Sequence, residues 1–127
     1  MTKKDKVAEY LQSEEGKMNA KRFIKALKEG RIVCSITRVS SSGMSRVIRV
    51  HEVARPRGAK RFTMYQFNWF IKNLGYTYVD DLYGIRMNGC GMDMVFALLD
   101  GVCSTLKYYG FKLPADYSRL AGSYMLI

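Results

Sequence analysis

Histidine is almost absent from this sequence: His51 stands alone among 127 residues. Any acid–base chemistry that needs an imidazole therefore rests on one side chain. Cysteine is sparse too, with Cys34, Cys90 and Cys103 an odd number at wide spacings. That excludes a disulfide framework and suits a reducing cytoplasm. Cys34, His51 and Cys90 also lack paired spacing of the CxxC kind, and a structural zinc takes four ligands, so neither metal nor cofactor is expected. No apolar run approaches eighteen residues, and the N-terminus is lysine-rich without an apolar stretch behind it. Neither a membrane span nor a secretory signal is predicted, which places the protein in the cytoplasm with no membrane partner. Repeats, low-complexity tracts and linkers are missing as well.

What is present is a globular composition with 48% apolar and 25% charged residues, sized for one domain around one core. The net charge of +10 is concentrated: residues 17–61 hold thirteen Lys/Arg against Glu29 and Glu52, and the flanking segments are close to neutral. A local positive field of this kind attracts polyanions such as nucleic acid or nucleotides. It also serves as an ordinary solvated surface.

Periodicity predicts an α+β fold. Residues 4–14 read as a short helix with Val7, Ala8 and Leu11 on one side, ending near Gly16. A second helix has Asn19 as its N-cap, places Ala20, Phe23, Ile24 and Leu27 at helical spacing, and closes at Gly30. Its other face, with Lys21, Arg22, Lys25 and Lys28, meets either solvent or phosphates. Residues 31–39 and 46–54 are rich in Val and Ile and form a β-hairpin, with Val47, Arg49 and His51 on one face and Ile48 and Val50 on the other. The mixed face is expected to present Arg49, His51 and Arg55 outward. Residues 55–61 form a basic turn, which Pro56 keeps out of a central strand.

A helix over 64–74 carries Met64, Phe67, Ile71 and Leu74 in one stripe with Phe70 beside it, against a competing strand over 62–67. Residues 76–88 read as a loop, with room for a short strand over 82–87. The longest helix, about 91–109, buries Val95, Leu98, Leu99, Val102 and Leu106, carries Cys103 on its apolar side, and is the central core helix. Gly101 costs it about 1 kcal/mol, which a close helix–strand contact would explain. The expected layout is thus one domain: a helical segment (1–29), a core (30–110) in which a small antiparallel sheet packs on helices, and a tail (111–127) without a motif.

Two turns carry the candidate chemistry. In residues 40–46, Ser41, Ser42 and Ser45 offer hydroxyls, Gly43 permits a backbone nest of N–H groups, and Arg46 adds a planar fork suited to phosphate. In residues 88–93, Gly89 and Gly91 flank Cys90, and Asp93 opens the long helix, whose N–H groups and dipole favour an anion or a thiolate. Neither matches an established phosphate signature. Arg46 shares parity with Ile48 and Val50, so it is directed toward the core side, where Asp93 or a ligand phosphate is its expected partner.

The same two strings resemble a group of small uncharacterised proteins of bacteriophages and other mobile elements. Those carry an SxSGMSR-like turn between strands and a GCGMDM-like helix start, matched here by residues 40–46 and 89–94, with Leu74, Gly75 and Tyr76 in similar relative position. The resemblance covers about 30–110 and brings no established activity. It implies a phage-type accessory protein acting inside a bacterial cell.

Two functional readings follow. In the first, a binding module, Ser41, Ser42, Gly43, Ser45, Arg46, Gly89, Gly91 and Asp93 hold a phosphate-bearing ligand, either a nucleotide or a nucleic-acid backbone. Arg49, Arg55, Arg57, Lys60 and Arg61 supply the surrounding field. In the second, a cysteine-based hydrolase, Cys90 is the nucleophile, His51 the base, and Glu52 or Asp93 the orienting acid. An inhibitor that covers a host protein's surface is the third class.

Overall fold

The computed structural model describes residues 2–38, 45–52, 64–88, 93–114 and 124–126. Helices α1 (Lys3–Gln12) and α2 (Glu14–Lys28) are followed by strands β1 (Ile32–Arg38) and β2 (Ser45–Glu52). Then come α3 (Met64–Lys72), a short β3 (Tyr78–Val79), β4 (Gly84–Asn88), the long α4 (Asp93–Tyr108) and β5 (Tyr124–Leu126). The sheet runs β3-β4-β2-β1-β5. Its first four strands are antiparallel and β5 joins parallel to β1.

The N-terminal helices meet at a single residue. Ser13 is both the C-cap of α1 and the N-cap of α2, its Oγ accepting from the Gly16 N–H at 3.0 Å. The second helix therefore starts five residues before the expected cap, Asn19. Asn19 is instead an interior, buried residue whose Nδ2 donates to the Tyr10 hydroxyl at 3.1 Å. Gly16 sits inside the first turn of α2 rather than ending α1. The sequence signal was there, because Glu14 and Glu15 follow a serine, as acids do in a first helical turn. At the other end α2 closes as expected: Gly30 adopts φ +69°, and the Arg31 N–H reaches back to the Ala26 carbonyl at 2.8 Å.

One face of the sheet carries Ile32, Cys34 and Ile36 of β1, Ile48 and Val50 of β2 and Ile85 of β4, all buried in one cluster with the helices. Phe23 of α2 packs edge-on to Phe67 of α3 at 6.0 Å and also contacts Phe70. From α4, Val95, Leu98, Leu99, Val102, Cys103 and Leu106 complete the core, so the long helix packs on the sheet as its spacing predicts. Residues 64–72 are helical, and the competing strand does not form.

Residues 76–88 are not all loop. The short strand allowed over 82–87 is present as β4, and an unpredicted β3 pairs with it as a hairpin through a short 3-10 turn at Asp80–Leu82 and Tyr83 at φ +53°. With two residues, β3 is too short to show alternation. The tail adds a strand that no sequence signal marked: Tyr124–Leu126 pairs with Cys34–Ile36. Gly101 does mark a close approach, but to a side chain. A Cβ there would lie 2.0 Å from the hydroxyl of Tyr76, the residue that leads toward β3.

Candidate functional site

Of the predicted site residues, Ser41, Ser42, Gly43, Gly89, Cys90 and Gly91 lie outside the described residues. So do Arg55, Arg57, Lys60 and Arg61 of the expected basic surface. The strands that flank the two turns are described, and their register fixes where those turns leave the sheet. Ser45, which begins β2, is paired with Asn88, which ends β4, and Arg46 is paired with Met87. On its other side Arg46 is paired with Arg38, the last residue of β1. Paired strands are about 4.8 Å apart. The end of the first turn and the start of the second are thus neighbours at one end of the sheet. In sequence, α4 begins five residues after β4 ends, at Asp93.

Arg46 has the parity that places it on the helical side of the sheet, and it is 8% exposed. Its stem can lie along apolar surface while the guanidinium stays near the sheet's end.

The far end of β2 holds a cluster that sequence reasoning missed. Arg31, 7% exposed, donates to Glu52 and, at 2.7 and 2.9 Å, to Glu29. Arg22 of α2 donates to the other Glu52 oxygen at 3.2 Å. Burial alone would raise the Glu52 carboxyl. The hydrogen bonds and charges of Arg31 and Arg22 outweigh it and hold the group below its ordinary value. The available signal was parity: Glu52 lies on the same strand face as Val50, and a carboxylate on a core face needs a cation. The supposed phosphate-facing row of α2 is therefore divided. Arg22 is spent on Glu52, whereas Lys21, Lys25 and Lys28 are exposed.

On the mixed face of β2, Arg49 and His51 are both half-buried, and Arg55 lies outside the described residues. Val47 is fully buried although it lies outside the main core cluster. Arg49 donates from Nε to the Leu82 carbonyl at 2.6 Å, tying β2 to the turn after β3. His51 is half-buried, with Nε2 2.9 Å from the Oγ of Ser35, its diagonal neighbour on β1. Burial, and then the charge of Arg49, lower its pKa and favour the neutral ring.

These positions bear on the hydrolase reading. His51 lies six residues along β2 from Ser45, about 20 Å at the rise of a strand. Its parity also puts it on the face opposite the helices. Cys90 is two residues past Asn88, a reach of about 7 Å. The candidate orienting acid Glu52 is on the opposite face from His51 and is held by two arginines. The other two thiols, Cys34 and Cys103, are buried and pushed up to about 12, by burial alone at Cys34 and by burial and then the Asp100 charge at Cys103. They are inert core residues.

Asn68 is a further unpredicted device. It sits fully buried in the apolar stripe of α3, accepting from the Val50 N–H at 3.1 Å and donating to the Val50 carbonyl at 3.2 Å. Paired β4 residues reach only as far as Ile48 on β2, so the side-chain amide stands in for a strand at Val50. The signal was a polar residue between Phe67 and Ile71 at the spacing of the buried face.

No known protein family, curated protein or solved structure matches this chain. Among the described residues no helix is long and apolar enough to cross a membrane.

Proposed function

We propose that the chain is a binding module that holds a phosphate-bearing ligand, a nucleotide or a nucleic-acid backbone, at the Ser45 end of the sheet. The supporting observation is the register that sets Ser45 against Asn88 and Arg46 against Arg38. It draws the flanks of both turns to one end of the sheet, with Arg46 between them. In this reading Ser41, Ser42, Gly43 and Ser45 offer hydroxyls and backbone N–H groups, and Arg46 offers its fork. Gly89, Gly91 and Asp93 shape the helix start. Arg55, Arg57, Lys60 and Arg61 add long-range attraction. The setting is that of a phage-type accessory protein in a host cytoplasm, where such binding sequesters a signalling nucleotide or occupies a nucleic-acid-handling enzyme.

Titration with nucleoside triphosphates, single-stranded DNA and duplex DNA tests the reading. A nucleic-acid backbone ligand should lose at least tenfold in affinity between about 50 and 200 mM salt through counterion release. A nucleotide should bind with a weaker salt dependence. Absence of binding to all three at low salt would overturn the proposal. Capture of a host protein that survives nuclease treatment would then point to the inhibitor class.

A further inference from the structure

On the far half of α4 from the proposed phosphate site, a groove of about 380 Å³ runs between α1 and the last turns of α4. Its floor is Val7 and Leu74, each 6% exposed. Its wall is a pair of rings, Tyr108 and Tyr109, 5.0 Å apart and nearly perpendicular. Tyr108 is 72% exposed, so its ring is accessible to a ligand. Lys3 and Lys4 form the rim, the Lys4 Nζ lying 5.7 Å from the centre of the Tyr108 ring.

The groove has a definite charge. No acid lines it. Asp5, the acid nearest in sequence, is committed to the N-cap of α1, accepting from the Thr2 N–H and hydroxyl. The Thr105 hydroxyl is likewise committed to the Gly101 carbonyl, and the Tyr109 hydroxyl to the Lys4 carbonyl. What remains for a ligand is an apolar floor, the exposed Tyr108 ring, the Ser104 side chain and the two ammonium groups of Lys3 and Lys4. Volume and lining fall within the range of small-ligand sites.

We propose that this groove binds a small aromatic anion, a flat ring carrying a carboxylate, sulfonate or phosphate. The ring stacks on Tyr108 above Val7 and Leu74, and the anionic group meets Lys3 and Lys4. The site is separate from the sheet end and does not depend on the function proposed for it.

The test uses the full chain and two fluorescent probes, anilinonaphthalene sulfonate and its uncharged counterpart phenylnaphthylamine. The sulfonate should bind at least tenfold more tightly. Combining Lys3→Gln with Lys4→Gln should erase that difference while leaving the neutral probe's affinity unchanged, and Tyr108→Ala should weaken both probes at least fivefold. All these side chains are at the surface, and unchanged melting temperatures would verify that the variants fold. Equal binding of the two probes by the native chain, or indifference to both variants, would overturn the proposal. Decanoate displacing the sulfonate as well as 2-naphthoate does would overturn the assignment of an aromatic ligand.

Discussion

At the Glu52 end of β2 the buried guanidinium of Arg31 meets two carboxylates, and Arg22 closes the cluster from α2. At the Ser45 end Arg46 is buried to nearly the same degree, 8% against 7%, yet the residue directly opposite it on β1 is another arginine. A buried cation thus lies near each end of β2, Arg31 from the segment before β1 and Arg46 from β2 itself. Where Arg31 and Arg22 hold Glu52, the cluster locks α2 to the sheet and belongs to the fold. Where Arg46 stands beside the flanks of two glycine-containing turns, the proposed ligand is an outside anion. If this contrast is real, the two ends should respond oppositely to mutation.

The largest effect is expected from Glu52→Ala, which removes the buried carboxylate that Arg31 and Arg22 share and leaves Arg31 with the more exposed Glu29. Loss of one partner of such a pair costs about 3–5 kcal/mol, and denaturant unfolding should register it with no change in ligand affinity of the folded fraction. Because the folded Glu52 carboxyl is held low, its contribution is complete at neutral pH and disappears as pH falls below about 4. Glu52→Gln should flatten that part of the acid stability profile.

Asn68→Leu comes next. It leaves the Val50 N–H and carbonyl buried without partners, a loss of about 2–3 kcal/mol, and amide exchange at Val50 should accelerate. An unchanged exchange rate would show that the Asn68 bridge does not protect the strand.

Arg46→Ala is the decisive variant for the Ser45 end. Affinity for the phosphate-bearing ligand should fall at least tenfold, about 1.4 kcal/mol. Stability should change by less than about 1 kcal/mol, as expected for a residue whose main role is to contact a ligand. A large drop in melting temperature with binding retained would make Arg46 a structural residue like Arg31 and erase the contrast.

The smallest effect belongs to His51. Its folded pKa is lowered, so stability should decline as pH falls below about 6.5. For a half-exposed ring the loss should be less than about 1 kcal/mol. His51→Gln should remove it, as paired melts at pH 7.5 and 5.5 would report.

How far these features were legible depended on whether they were local. Helical spacing marked Phe67, Phe70 and Ile71, and the strand parity of Ile48 and Val50 correctly turned Arg46 inward. Local pattern could not reveal that Arg31 and Glu52 meet across the hairpin, that Asn68 replaces a strand, or that Ser45 faces Asn88. Those depend on register and crossover, which arise from packing. Strand β3 was missed because two residues are too few to show periodicity, whereas the short strand allowed over 82–87 forms as β4. Asn19 was misplaced as a cap because its partner, the Tyr10 hydroxyl, belongs to another helix. The turns themselves were the clearest strings in the sequence, yet their proximity could be inferred only from the strands that flank them.

The pairing of β5 with β1 also sets an order of events in folding. Cys34 and Tyr124 are neighbours although about ninety residues separate them, and closing a loop of that length costs about 4 kcal/mol in chain entropy. The β1–β2 hairpin and the helical turns face no such barrier, so they should form first, leaving the outer edge of β1 without its strand in the interval. During that interval a strand from another molecule competes for the same hydrogen bonds. Refolding yield should therefore fall as protein concentration rises, and the Cys34–Ile36 edge should be among the first parts of the native sheet to exchange its amides.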